Sequence, residues 1–352
     1  MGSAFVQRIP EVKQIFILTL ILLLGFCSAC QAEETTSQSE IRSGTETLLL
    51  PTPTKVLPTT IPEHTPTIPQ KDNGIDQIVF YSNRDGNPDI YTYNPHTQKL
   101  KRLTDDPAFD DSPALSQDGR QIVFLTARHD PDPKFPNLKY EIYMIDSDGE
   151  NLRRLTSTEV AEDHPAWSPD GSKIIFDADY DGDGFYEIYT IAPDGTGLTR
   201  LTYGTSNDQF ADWSPDGSRI AFASDRNGNW DIFVMDIDGS NPQALTTSQD
   251  WELFPAWSPD GAQIAFTGLV PRSRNTDVYV MNATGSNIRQ LTASPGFDEN
   301  PAWSPDGKQV AFHTERDGNF KIYVMDADGG QQDPLRVSAS DELWATWGPA
   351  AP

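Results

Sequence analysis

Six acidic residues stand at one fixed distance from a recurring apolar landmark. Asp110, Glu162, Asp208, Glu252, Asp298 and Glu342 each lie five residues before Leu115, Trp167, Trp213, Trp257, Trp303 and Trp347. If the repeating units close around an axis, these carboxylates would ring the mouth of a central channel and could hold a cation or a basic peptide segment. Strict repetition is also what a structural role produces, each acid accepting hydrogen bonds within its own loop. A second group is Asp177-Ala178-Asp179-Tyr180-Asp181-Gly182-Asp183-Gly184. It carries the D-x-D-x-D-G opening of a calcium loop, where alternating carboxylates converge on a hard cation. The closing position holds Ile188, with Glu187 one residue early, so the candidate calcium ligands are Asp177, Asp179, Asp181 and Asp183.

Other chemistry is sparse. The sequence has no G-x-S-x-G elbow, no H-E-x-x-H and no phosphate-binding G-x-x-x-x-G-K-[ST]. Its five histidines, His64, His96, His129, His164 and His313, are scattered, and only His129 and His164 are expected on a common loop face. Carboxylate pairs are too common here for proximity alone to mean general acid–base work. A formal charge of −26 sets nucleic acid aside, because phosphate backbones need a basic face.

The elements that position these residues begin at about Ile75; what precedes them reads as address and tether. Arg8 and Lys13 come before the apolar run Ile15–Phe26, twelve residues long. A spanning helix needs about 20, so the run reads as a signal-peptide core. Cys27-Ser28-Ala29-Cys30 follows and resembles the lipobox of bacterial lipoproteins, with Cys27 at the place where leucine is usual. The resemblance implies a signal peptide over 1–29, lipidation at Cys30, and a cell-envelope location with the folded part outside the cytoplasm. The segment 30–74 is rich in Ser, Thr, Pro and Glu and cannot bury enough apolar surface to fold. Its roughly 40 residues, held extended by proline, would reach on the order of 100 Å as a semi-rigid spacer.

From Ile75 one pattern is written repeatedly. Its clearest copies begin at Pro255 (PAWSPDGAQIAF) and Pro301 (PAWSPDGKQVAF), with related copies at Pro113, Pro165 and Ala211. Each continues to an IY or IF strand, a DG-containing turn and usually an LT ending. In Ser304-Pro305-Asp306-Gly307, proline presets φ and glycine supplies the conformation that leaves the turn. Strand KIYVM carries Ile322 and Val324 on one face and Tyr323 and Met325 on the other. Both faces are apolar, as a sheet sandwiched between neighbouring sheets requires.

These residues resemble the TolB-like PD40 (WD40-like) repeat over essentially all of Ile75–Pro349. The resemblance implies an all-β fold, a β-propeller of four-stranded blades over 75–352. Phe80, Phe124, Phe176, Phe222, Phe266 and Phe312 mark six second strands at spacings of 44–52 residues. The chain starts on a second strand and ends on a first strand (LWATWG), so six blades are expected, the C-terminal strand closing the first. The landmark tryptophans read as core packing and not as a ligand-binding ladder.

With the four strands of a blade lettered A to D from the PAW strand onward, connectivity puts the A–B and C–D turns on one face and the B–C and D–A loops on the other. The loop face varies from blade to blade, and rigidly held loops are where binding concentrates. Its expected features are His129–Tyr140, the locally basic Leu269–Asn275, and Trp230, Trp251, Phe254 and Trp344. The expected function is a non-catalytic, monomeric, membrane-tethered scaffold for an envelope or extracellular protein, or for a basic peptide or glycan. The alternative is a glycan-binding or polysaccharide-lyase-like enzyme, since some TolB-like propellers resemble such lyases. TolB itself carries an α/β domain before its propeller, where this sequence has a tether, so the resemblance does not carry a Tol–Pal role.

Overall fold

The computed structural model describes residues 76–130, 139–269, 273, 275–335 and 340–349. Cys30, the signal segment and the tether lie outside them. The described residues form six four-stranded antiparallel sheets. In blade 4 the strands are A (Asp208–Trp213), B (Arg219–Ser224), C (Asp231–Asp236) and D (Gln243–Ala244). Blade 1 is built from both ends of the propeller, in the order Glu342–Pro349, Asp76–Ser82, Asp89–Asn94, Lys99–Arg102. Ile78 pairs with Trp347 and Ser82 with Glu342, so the expected closure by the C-terminal strand is present.

Each A–B turn is held by its own side chains. Ser304 Oγ donates to Asp306 at 2.9 Å and accepts the Gln309 amide at 3.0 Å, while Gly307 takes φ 69°. The same bonds recur around Ser214 and Asp216. The LT threonines have a comparable local task. Thr156 Oγ1 accepts the Ile142 amide and Thr246 Oγ1 accepts that of Ile232, so a side chain continues the hydrogen bonding where strand D has already ended.

Packing follows the two-faced pattern. All six strand B phenylalanines are at most 2% exposed. Each core cluster joins neighbouring blades: Ile175 and Ile188 of blade 3 meet Trp213, Phe222 and Phe233 of blade 4. The C–D turns nest against the preceding blade. A Cβ placed on Gly329, at φ 92°, would lie 2.7 Å from the Leu291 carbonyl oxygen, so no side chain fits there.

Candidate functional site: the central channel

Strand A of every blade carries one residue in the left-handed region: Ser112, His164, Phe210, Phe254, Asn300 and Trp344, with φ between 45° and 58°. Each sits where the A–B register skips, for example between Asp111 and Ala114 opposite Leu125 and Val123. One extra residue on strand A against its partner is a β-bulge. The left-handed conformation costs about 1–2 kcal/mol per non-glycine residue, so the ring of bulges is a strained feature repeated six times.

The bulge decides where the six acids go. In a regular strand, residues five apart lie on opposite faces; one added residue brings them to the same face. Asp110, Glu162, Asp208, Glu252, Asp298 and Glu342 therefore share the inter-blade face with their landmarks and are at most 5% exposed. None is among the residues that line the channel cavity, and in place of the exposed ring of carboxylates that the spacing suggested the six are buried. Each is held by side chains of its own blade or of the end of the preceding one. Arg128, Arg226, Arg316 and Arg84 pair with Asp110, Asp208, Asp298 and Glu342 at 3.0, 2.8, 3.0 and 2.7 Å. Glu162 accepts from Thr156, Thr158 and Tyr180 instead, and Glu252 from Thr246 and Ser248. The arginines also lie over two rings each, Arg316 at 5.3 Å from Phe312 and 4.8 Å from Tyr323. Sequence reading passed over them, although each stands four residues after its strand B phenylalanine, where blade 3 has Tyr180.

Four of the bulge side chains meet as an aromatic layer across the channel. Ring centroids are 4.3 Å apart for His164–Phe210, 4.2 Å for Phe210–Phe254 and 5.3 Å for both Phe254–Trp344 and His164–Trp344. His164 Nδ1 lies 3.1 Å from Asp177, which also accepts Gln209 Nε2 and the Phe210 amide, both at 3.1 Å. Burial opposes charge on His164, but Asp177, Asp163 and Asp111 outweigh it and raise its pKa. Burial, partly offset by His164, pushes Asp163 up to about 7; burial likewise lifts Asp111 to about 6 against the hydrogen bonds of Ser112.

Beyond this layer the channel is a cavity of about 330 Å³ that reaches the prolines of the A–B turns, Pro169, Pro215, Pro259 and Pro305. The landmark tryptophans line it. Trp167, Trp213 and Trp303 also belong to the inter-blade cores, so core packing and channel lining are the same residues. One wall position departs from the rest. Ala114, Ala166, Ala256 and Ala302 precede their landmarks, Thr346 does so in blade 1, and blade 4 has Asp212. Its Oδ2 accepts the Trp257 amide of the next blade at 2.7 Å, and burial pushes its pKa up to about 7. The break from Pro-Ala to Ala-Asp was the sequence signal for it.

The four candidate calcium ligands do not converge as one set. Asp177 is buried on the His164 side, whereas Asp179, Asp181 and Asp183 bring ligand atoms within 4.8 Å of one another. Asp181 pairs with Arg200 at 2.6 Å, and Asp179 accepts the amides of Gly182, Asp183 and Gly184. Trp230 and Trp251, expected on the recognition surface, are 5% and 9% exposed, while Phe254 and Trp344 belong to the aromatic layer. His129 lies against Tyr143 beside strand C of its blade, away from His164. Residues 131–138, 270–272 and 274 of the two variable loops lie outside the described residues. Tyr203, which the sequence did not single out, is 71% exposed with Arg200 at 4.8 Å from its ring.

The family model described as PD40, TolB beta propeller domain, matches residues 163–268 and 250–351, more than half of the chain. The chain belongs to this family. A TolB homologue of Chlorobium chlorochromatii is 33% identical over a stretch covering 28% of this chain and 30% of that protein. A dipeptidyl-peptidase 5 of Porphyromonas gingivalis is 36% identical over 18% of this chain and 9% of that protein. The chain thus spans less than a third of the length of these curated relatives. TolB of Acinetobacter baumannii superposes with a TM-score of 0.66 at 22% identity, over 77% of this chain and 66% of that one. A putative TolB of Agrobacterium tumefaciens gives 0.62 at 21%, over 78% and 98%. At these identities the likeness concerns the PD40 propeller fold alone.

Proposed function

We propose that the chain is a non-catalytic binding scaffold of the bacterial cell envelope. In this reading it is anchored through Cys30, spaced from the membrane by residues 31–74, and presents its B–C and D–A loops to an envelope or extracellular protein. The contrast between the two propeller faces carries the proposal. On one face, Ser and Asp side chains bond within their own turns, blade after blade. On the other, loops differ in length and composition and leave groups such as Tyr203, Asp181 and Asp183 exposed. Tyr203 supplies a large contact surface at low entropy cost, already oriented by Arg200.

The test is capture from detergent-solubilised membranes with the full chain as bait, run beside a polysaccharide array. A discrete envelope protein retained by the wild type and lost with Tyr203→Ala supports the scaffold. Binding on the array with no protein retained would replace it with the glycan reading.

A further inference from the structure

We propose that the channel between the aromatic layer and the A–B turns is a binding site for an organic cation, an alkylammonium or guanidinium head, with Asp212 as its counter-ion. The site is separate from the loop face and does not depend on the scaffold reading.

Three observations converge. The first is a break in the repeat: at the wall position before the landmark, Asp212 stands where four other blades have alanine. An alanine there already builds a blade, so the carboxylate is not needed for one. The second is its setting. Asp212 lines the cavity and is tied by one oxygen to the Trp257 amide. Among the described residues no lysine, arginine or histidine forms an ion pair with it, unlike the Asp–Arg pairs of the neighbouring strand ends. The cavity also offers Ser112, Gln117, Asn300 and Thr346, but a half-buried carboxylate without a cation partner is costly, and an entering cation would remove that cost.

The third is the lining. Tryptophan and proline rings form the walls, with Arg219 already 4.9 Å from the Trp257 ring; Phe210, Phe254 and Trp344 form the inner end, beside His164, whose partner is Asp177. Aromatic faces attract cations, most strongly where water is excluded, and tryptophan is the best of them. A cavity of about 330 Å³ suits a head group of a few heavy atoms, and a protein of net charge −26 concentrates cations around itself. An aromatic box with one carboxylate selects a soft, weakly hydrated cation over a hard metal ion, which would demand more oxygen ligands than Asp212 offers.

The experiment compares choline with its uncharged isostere 3,3-dimethylbutan-1-ol on the full chain, by tryptophan fluorescence and calorimetry. N-acetyl-lysine amide and N-acetyl-arginine amide separate a partner's side chain from a free amine as the source. At least one cation should bind saturably, and at least about tenfold more tightly than the neutral isostere does. Asp212→Ala restores the residue of the other blades and should fold, yet lose that preference; Asp212→Asn, of the same shape, should lose it too. Equal binding of the isostere, an undiminished preference in the two variants, or no saturable binding of any cation would overturn the site.

Discussion

The two ends of strand A obey different rules. At the turn end both backbone and side chains repeat, because Ser, Pro, Asp and Gly are what the turn itself requires. At the bulge end the backbone repeats while the side chains do not: Ser, His, Phe, Phe, Asn and Trp all adopt nearly the same left-handed φ. The bulge is therefore imposed by the sheet and its neighbours and not by local preference, since only His and Asn among these types favour that region. Surrounding structure that dictates the backbone leaves the side chain free to vary, and the channel chemistry is written at those positions.

Substitutions at the two ends should differ in cost. Trp213→Ala, beside the turn end, removes a residue that is 4% exposed and shared by two blades. It should cost about 3–5 kcal/mol in urea unfolding, and a loss under 1 kcal/mol would mean the blades do not depend on one another. Arg316→Ala strips the guanidinium from buried Asp298 near the bulge end. The cost should be about 2–3 kcal/mol, below that of a fully enclosed pair because Arg316 is 18% exposed.

Stability should also depend on pH in a way that separates the two ends. Near the bulges and along the wall, Asp163 and Asp212 are held up to about 7 and Asp111 to about 6, mainly by burial. A raised carboxyl stabilises the fold while protonated, and that contribution is lost as pH rises from about 4 through the folded value. His164, raised by its carboxylates, has the same sign and loses its contribution as pH rises through its folded value. The turn aspartates behave oppositely: Ser214 and Ser218 hold Asp216 at about 2, and Asp170 and Asp260 are also lowered. Their contribution is present above about 4 and disappears below it. The melting temperature should peak near pH 5 and fall by a few degrees toward pH 8. A rise toward pH 8 would show that the inner carboxyls are not enclosed.

Smaller effects test the strain and the acidic loop. Ser112→Gly relieves one left-handed residue with little lost packing and should gain about 1 kcal/mol. Calcium should shift the melting temperature least, by under about 1 °C, because Arg200 already occupies Asp181 and Asp177 faces elsewhere. A larger shift, abolished by Asp181→Ala, would show that the ion displaces the arginine.

The recurring Phe and Trp made the blades, their number and the closing strand legible, because burial on both faces leaves a dense apolar signature. The six acids were legible as a set but not in their placement. Counting by two along strand A fails once a bulge intervenes, and Ser112 or Trp344 announces no bulge. Asp212 was visible as a departure from Pro-Ala, yet its meaning needed the channel around it. Trp230 and Trp251 look like surface aromatics in sequence, but the loops fold them under.

Blade 1 joins residues more than 250 positions apart, as the Arg84–Glu342 ion pair shows. Pairing of such distant segments is the slowest kind of contact to find. Until Glu342–Pro349 arrives, Asp76–Ser82 has one unpaired edge, able to recruit another chain. The last strand thus works as a latch as well as a wall. A chain lacking it would be expected to expose that edge in place of forming a slightly smaller propeller.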